Sequence, residues 1–393
     1  MRSGRLHDAW YDALMIPNLT YPQLSAILQT VFAPQPGERD LTFLVDLPDE
    51  HLPDTSEWVD RRRIAVEWFS MLRLHIEKWP FRAVNFATYR NVGSNNANLP
   101  ETVEIAASAS AKDDTLPLSD ALLGQVLERT SVVIAPTQLS ATAPLKVLSR
   151  VYPFRGATLP NFLRVMMPAL GLNYQEVDAR VRQLQTRMDR AEGAEINLNA
   201  NGAMYPIFLD LRYRTGIASG GLIRSLGTVG NLPSGEAYIV PYEGEREGEP
   251  SATAGVLPVE FGEELVLFMV DRNRCVNVMT SGPRSREQKR KLTDEPAYGN
   301  LAELGIGVLG EWGISAVGST LLDEKLGLHV AFGRSDHFGG ATGPEAFNDP
   351  ANVTHIDWVY VPSVQPNIKV ESLTFRYPDG SKEPIMRDNV III

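Results

Sequence analysis

Two rhythms of apolar and polar positions run along this chain. Between Ser56 and Trp79, the residues Val59, Ile64, Val66, Trp68, Phe69, Leu72, Leu74 and Ile76 recur among charges, which predicts a long amphipathic helix capped by Asp54 or Ser56. Tyr174 to Arg190 repeats that spacing with Val177, Val181, Leu184 and Met188. Ala83 to Tyr89 and the β-branched run Ser131 to Ala135 read as short strands, the second a buried parallel one. Helices alternating with strands predict an α/β layer.

After about residue 190 the rhythm shortens. Ile196 to Tyr213, Glu236 to Pro241, Glu264 to Val270, Leu328 to Phe332 and Val353 to Val361 are strand-like runs separated by Gly, Pro and Asn. The change falls near Glu192 and Gly193, so residues 1–192 are expected as an N-terminal α/β domain and 193–393 as a β-rich α+β domain. Two cores suit a chain of 393 residues, and no internal repeat or low-complexity tract interrupts them.

Composition narrows the partners. A net charge of -11 argues against a phosphate-tracking surface, since nucleic-acid affinity comes largely from clustered Lys and Arg. The one basic cluster, Arg284, Arg286, Lys289, Arg290 and Lys291, is broken by Glu287 and followed by Asp294 and Glu295, the pattern of a solvated helix face. A single cysteine, Cys275, excludes an internal disulfide framework and fits a reducing compartment. No apolar run approaches the ~18 residues of a membrane span. Met1 to Leu19 carries His7, Asp8 and Asp12 where a signal peptide needs apolar residues, so a cytoplasmic protein without membrane or nucleic-acid partners is expected.

The candidate chemistry lies in the second half. Of 6 histidines, His329, His337 and His355 fall close together near the C-terminus. A strand through Val353 to Val359 puts His355 and Asp357 on one face and Ile356 and Trp358 on the other. His329 shares its face with Gly327, Ala331 and Gly333, small neighbours that leave room for an ion or substrate. Each also has a plainer reading, a buried His–Asp pair and a core histidine satisfied by a carbonyl. Glu236 opens a strand after the turn Asn231 to Gly235, where a surface hairpin glutamate is the bland alternative. Glu303 fits N3 of a capping box with Asn300 as N-cap of a helix. If Glu236, Glu303, His329, His355 and Asp357 converge, three carboxylates would bury a charge that only cations offset at tolerable cost.

Four segments carry a resemblance. Gly230 to Glu236, Gly299 to Gly307, Asp323 to Gly333 and His355-Ile356-Asp357 resemble, in the same order, motifs of the thermophilic metallo-aminopeptidases of the aminopeptidase T type. The resemblance implies that Glu236, Glu303, His329, His355 and Asp357 bind two divalent ions such as zinc, cobalt or manganese, in a homodimer acting on a small peptide or amino-acid-derived substrate, with Glu303 a candidate general base whose coordinating and proton-transfer roles the sequence does not separate. Where that family has a tyrosine seven residues beyond the matched histidine, this chain has Asp336, an acid in place of a hydrogen-bonding phenol and a candidate extra ligand or anchor for a substrate amine.

Rival readings remain open. His329, His355 and Asp357 also satisfy the two-histidine, one-carboxylate pattern of a mononuclear Fe(II) site, and the chain is more distantly similar to ring-cleaving dihydroxypyridine dioxygenases, which lack the two matched glutamates. A catalytically silent metal-binding protein is a third. Gly305 to Gly310 spells G-x-G-x-x-G, yet Tyr298 to Glu303 does not read as the β-branched strand that a dinucleotide site needs. Arg212 and Arg214, expected on one strand face, would either anchor a substrate carboxylate or form a surface ladder.

Overall fold

The computed structural model describes residues 18–106, 118–349 and 352–393. By contacts between Cα atoms the chain divides into two units, 1–176 with 221–234, and 177–220 with 235–393.

The first unit is built on a seven-stranded sheet in the order β10-β6-β5-β1-β2-β3-β4. Its strands are β1 (Asp40–Leu47), β2 (Val84–Arg90), β3 (Thr102–Ala106), β4 (Leu118–Leu122), β5 (Thr130–Ala135), β6 (Arg155–Thr158) and β10 (Val229–Asn231). The central pairs are parallel, and β5 is buried along its whole length, because helices cover parallel strands and such strands read as continuous apolar runs. The expected long helix forms over Ser56–Leu74 and stops short of Trp79, burying Ile64, Trp68, Phe69 and Leu72 while Val59, Val66 and Leu74 face solvent, and Thr55, between the two expected caps, accepts from the Trp58 amide at 3.2 Å.

The second unit holds two antiparallel sheets. One has five strands in the order β17-β16-β15-β11-β9, the other eight in the order β14-β13-β12-β8-β7-β18-β19-β20. The larger uses β7 (Gly193–Ala200), β8 (Ala203–Asp210), β12 (Ala254–Phe261), β13 (Glu264–Asp271), β14 (Arg274–Val278), β18 (Ile368–Arg376), β19 (Lys382–Arg387) and β20 (Val390–Ile391). The smaller uses β9 (Ile217–Ser219), β11 (Glu236–Ile239), β15 (Leu301–Gly307), β16 (Leu328–Gly333) and β17 (His355–Tyr360). An aromatic core joins them: Phe332 of β16 packs on Phe268 of β13 at 5.2 Å between ring centres, and Tyr360 of β17 donates to the Pro258 carbonyl of β12 at 2.9 Å. The basic cluster lies on the helix Pro283–Asp294, whose Ser285 and Gln288 are buried while Arg284 and Lys291 pair outward with Glu287. Among the described residues no helix is long and apolar enough to cross a membrane.

Three local expectations are corrected. Glu303 is not in a helical capping box but within β15, because Leu301, Ala302, Leu304 and Ile306 are all fully buried in the sheet. Asn300 spends its amide on the Gly333 carbonyl at 3.0 Å and on Glu243. The G-x-G-x-x-G stretch therefore does have a strand, but its first two glycines sit inside that strand rather than in a phosphate-binding turn. Arg212 and Arg214 do not share a strand face: β8 ends at Asp210, and Tyr213 between them takes a left-handed φ of 64°.

Candidate metal centre

The five-stranded sheet sorts its residues by pleat. In the pairing, Glu236 faces Gly307 and Tyr238 faces Gly305, Gly305 then faces His329, Ala331 faces Asp357, and Gly333 faces His355. One face thus carries Glu236, Tyr238, Glu303, His329, His355 and Asp357 among small residues. The opposite face carries Ala237, Ile239, Leu304, Ile306, Leu328, Val330, Phe332 and Trp358, most of them fully buried. Glu303 keeps register with Gly305, and a bulge just before it displaces only the pairing of Leu301.

All five expected ligands meet on that face. Glu303 Oε1 lies 3.2 Å from His329 Nε2, and its other oxygen lies 3.4 Å from His355 Nε2. His355 Nε2 is 3.5 Å from Asp357, and His329 Nε2 is 3.4 Å from Glu236 Oε2. Ligand atoms within 4.8 Å of one another form two groups among the described residues, Glu236–Glu303–His329 and Glu303–His355–Asp357. Glu303 belongs to both.

Second neighbours set the imidazoles. His329 Nδ1 meets the Gly327 carbonyl at 3.3 Å and His355 Nδ1 meets the Arg334 carbonyl at 2.8 Å. A carbonyl only accepts, so each Nδ1 carries hydrogen and each Nε2 is turned to the carboxylates, the orientation metal-ligating histidines take. Space comes from glycine. A Cβ on Gly305 would stand 1.9 Å from His329 Nε2, so the ring occupies the place of a side chain.

The charges are strongly coupled. Burial pushes His329 down, but the hydrogen bond to Glu303 and the charges of Glu236, Glu303 and Asp357 overcome it and raise its pKa to about 9. His355 is likewise pushed down by burial and lifted well above the usual range, chiefly by Asp357 and Glu303. Burial opposes ionisation of Glu303, yet the two histidines hold its carboxyl well below the usual range. Without a cation, protons on imidazole stand in for one.

A fit to divalent metal rests on one atom. Glu236 Oε2 is buried and accepts no hydrogen bond, although its carboxylate is only 6% exposed and faces His329 and Glu303. A buried, unsatisfied carboxylate oxygen among two more acids and two Nε2 atoms suits a borderline or hard cation.

Asp336 stands apart from the two groups. It forms a two-pronged pair with Arg334, at 2.5 and 3.1 Å, in the short 3-10 turn Asp336–Phe338. The same turn sets His337 and Phe338 beside His355, ring centres 5.6 and 5.5 Å away, and Phe338 edge-on to Tyr238 at 4.9 Å. Glu243 fastens this loop, accepting from Ser335 and from Thr342 Oγ1 at 2.9 Å. Of the expected anchors, Arg212 is paired with Asp210 and Arg214 with Glu245.

Sequence reasoning missed Lys325 and Glu324. Lys325, 1% exposed, donates to Glu236 Oε1 at 2.5 Å and to Glu324. A Glu-Lys pair before a glycine reads as an exposed helix end, since lysine is rarely buried unless paired. Their place in the segment Asp323 to Gly333, close to His329, was the signal that could have pointed to them.

A mixed α/β protein with a histidine–carboxylate cluster on one sheet face is thereby defined. The chain is similar in fold to 2,5-dihydroxypyridine dioxygenase from Pseudomonas putida KT2440, with a TM-score of 0.59 and 12% identity over 95% of this chain and 98% of that one. It is similar also to wild-type AmpT from Thermus thermophilus, with a TM-score of 0.56 and 14% identity over 95% and 98% of the respective chains. No protein-family model matches the chain, and no curated protein does.

Proposed function

We propose that this chain is a metal-dependent hydrolase of the aminopeptidase kind, holding two divalent ions and cleaving an amide next to a free amino group. One observation carries the reading: the two oxygens of Glu303 face different histidines, at 3.2 and 3.4 Å, as a carboxylate shared between two ions would. Glu236 and His329 complete one ligand set, His355 and Asp357 the other. Zinc, cobalt and manganese suit these donors. Divalent ions in such a site supply a polarised carbonyl and an acidified water. Glu303 would combine coordination with proton transfer as general base, its buried carboxylate kept ionised by the cations themselves. Tyr238 and Phe338 wall the cluster with aromatic surface that excludes water and faces a small peptide or amino-acid-derived substrate. Asp336, tied to Arg334, holds the loop bearing His337 and Phe338 beside the cluster. A homodimer in the cytoplasm completes the reading.

The fold likeness to a dioxygenase supports a second reading, a single Fe(II) acting on a hydroxylated N-heteroaromatic ring. Against it, His329, His355 and Asp357 do not gather as one group: each set contains one histidine and two carboxylates.

Metal analysis of protein purified without added metal, followed by turnover of amino-acid amides and short peptides with cobalt, zinc or manganese, separates the readings. Two ions per chain and turnover that Glu303→Gln lowers by about a thousandfold are expected. One iron per chain with oxygen consumption would overturn the hydrolase, and a folded, two-ion protein without turnover would mean a silent binder.

A further inference from the structure

The two ligand sets share Glu303, and in only one of them does an ammonium pair with a ligand carboxylate. Lys325 Nζ lies 2.5 Å from Glu236 Oε1, taking half of that carboxylate. Its other partner is Glu324. Neither Glu303 nor Asp357 is paired with a Lys or Arg among the described residues, and their ion pairs are with histidines.

The lysine is held in place from behind. A Cβ on Gly307 would come within 2.0 Å of the Lys325 carbonyl carbon and 2.4 Å of the Glu324 oxygen, so the Glu324–Lys325 backbone lies directly on β15. The side chain is 1% exposed and cannot swing into solvent without opening the sheet face.

We propose that Lys325 is a resident cation that makes the two ion sites unequal: Glu303–His355–Asp357 loads first, and Glu236–Glu303–His329 loads second and more weakly. This rests on the two-ion reading above. An ammonium so close to Glu236 cancels part of the field that would draw a dication to its free oxygen, in surroundings where charge is poorly screened. The lysine also fixes Glu236 as a ligand through Oε2 alone. It is therefore a positioning residue that sets the rank of the two sites.

Calorimetric titration of the metal-freed full chain with Co²⁺, with the Co²⁺ absorption bands followed in parallel, tests the order. Two binding steps separated by at least about tenfold in Kd are expected. His329→Ala should delete the weaker step and Asp357→Asn the tighter one. Lys325→Met should tighten the weaker step by roughly tenfold and leave the tighter one within about twofold, whereas Lys325→Arg should keep the gap. Two equal steps, loss of the weaker step in Asp357→Asn, or a weaker step loosened by Lys325→Met would each overturn the assignment. The wild type and the two ligand variants decide the order even if Lys325→Met fails to fold. A single equivalent would overturn both this assignment and the two-ion reading, while two ordered steps without amide turnover would sink the hydrolase alone.

Discussion

At the scale of single residues, the centre depends as much on what is missing as on what is present. His329 can aim Nε2 at two glutamates because Gly305 opposite it in the pairing has no side chain. Gly305→Ala would put a methyl 1.9 Å from that nitrogen, and the strand backbone on either side is fully buried and cannot yield. The ring must rotate off its Gly327 hydrogen bond. Co²⁺ affinity at the Glu236–Glu303–His329 set should fall by about tenfold or more, with about 1–3 kcal/mol of stability lost to overpacking. Unchanged binding by calorimetry would show that the ring is not the ligand. Strand alternation in the sequence placed His355 with Asp357 and set His329 among small residues, but Glu236 alone reads as a hairpin glutamate and Glu303 as a helix cap, so only their place in the resembling motifs grouped the five. Lys325 was not legible, since its burial is decided by Glu236 and Glu324 reaching it in space. Asp336 was visible as a departure, but its pairing with Arg334 two residues away could not be told from a turn toward the ions.

At the scale of elements, period-two alternation does most of the placing. β16 and β17 were readable because Leu328, Val330 and Phe332 alternate with His329 and Ala331, and Ile356 and Trp358 with His355 and Asp357. β15 was not readable as a strand: Asn300 and Glu303 match a helix start, and the two glycines weaken any strand propensity. Its neighbours β11 and β16 decide the matter by supplying both sets of ladder bonds. The two faces should also be separable by mutation. Phe332 is fully buried against Phe268, Tyr298 and Trp358, on the side away from the ligands. Phe332→Ala should cost about 3–5 kcal/mol in denaturant unfolding. It should leave the number of ions bound per folded chain unchanged. Loss of metal at temperatures where the variant remains folded would mean that the apolar face also sets the ligand geometry.

At the scale of the whole molecule, the α/β character of the first half and the β-rich texture of the second were legible as a change of rhythm. The return of residues 221–234 to the first unit was not, because Val229–Asn231 joins the sheet edge through backbone pairing with β6, which leaves no apolar signature. The charge cluster ties global stability to pH and metal together. In the metal-free protein His329 has a pKa raised from 6.5 to about 9, so its stabilisation is complete below about pH 6.5 and is lost as pH climbs through 9. Glu324, raised from 4.5 to about 8 by burial and the nearby acids Glu236 and Asp357, adds a loss of the same sign. Ions need the imidazoles neutral, so binding releases protons below about pH 9 and strengthens as pH rises. Metal-free protein should therefore lose on the order of 2 kcal/mol between pH 6.5 and 9, while protein saturated with Zn²⁺ or Co²⁺ gains or holds stability over that range. Thermal melts of both forms at half-unit pH steps check this. A gap in Tm between the two forms that narrows with rising pH would mean that protons do not take the place of the ions in the empty cluster.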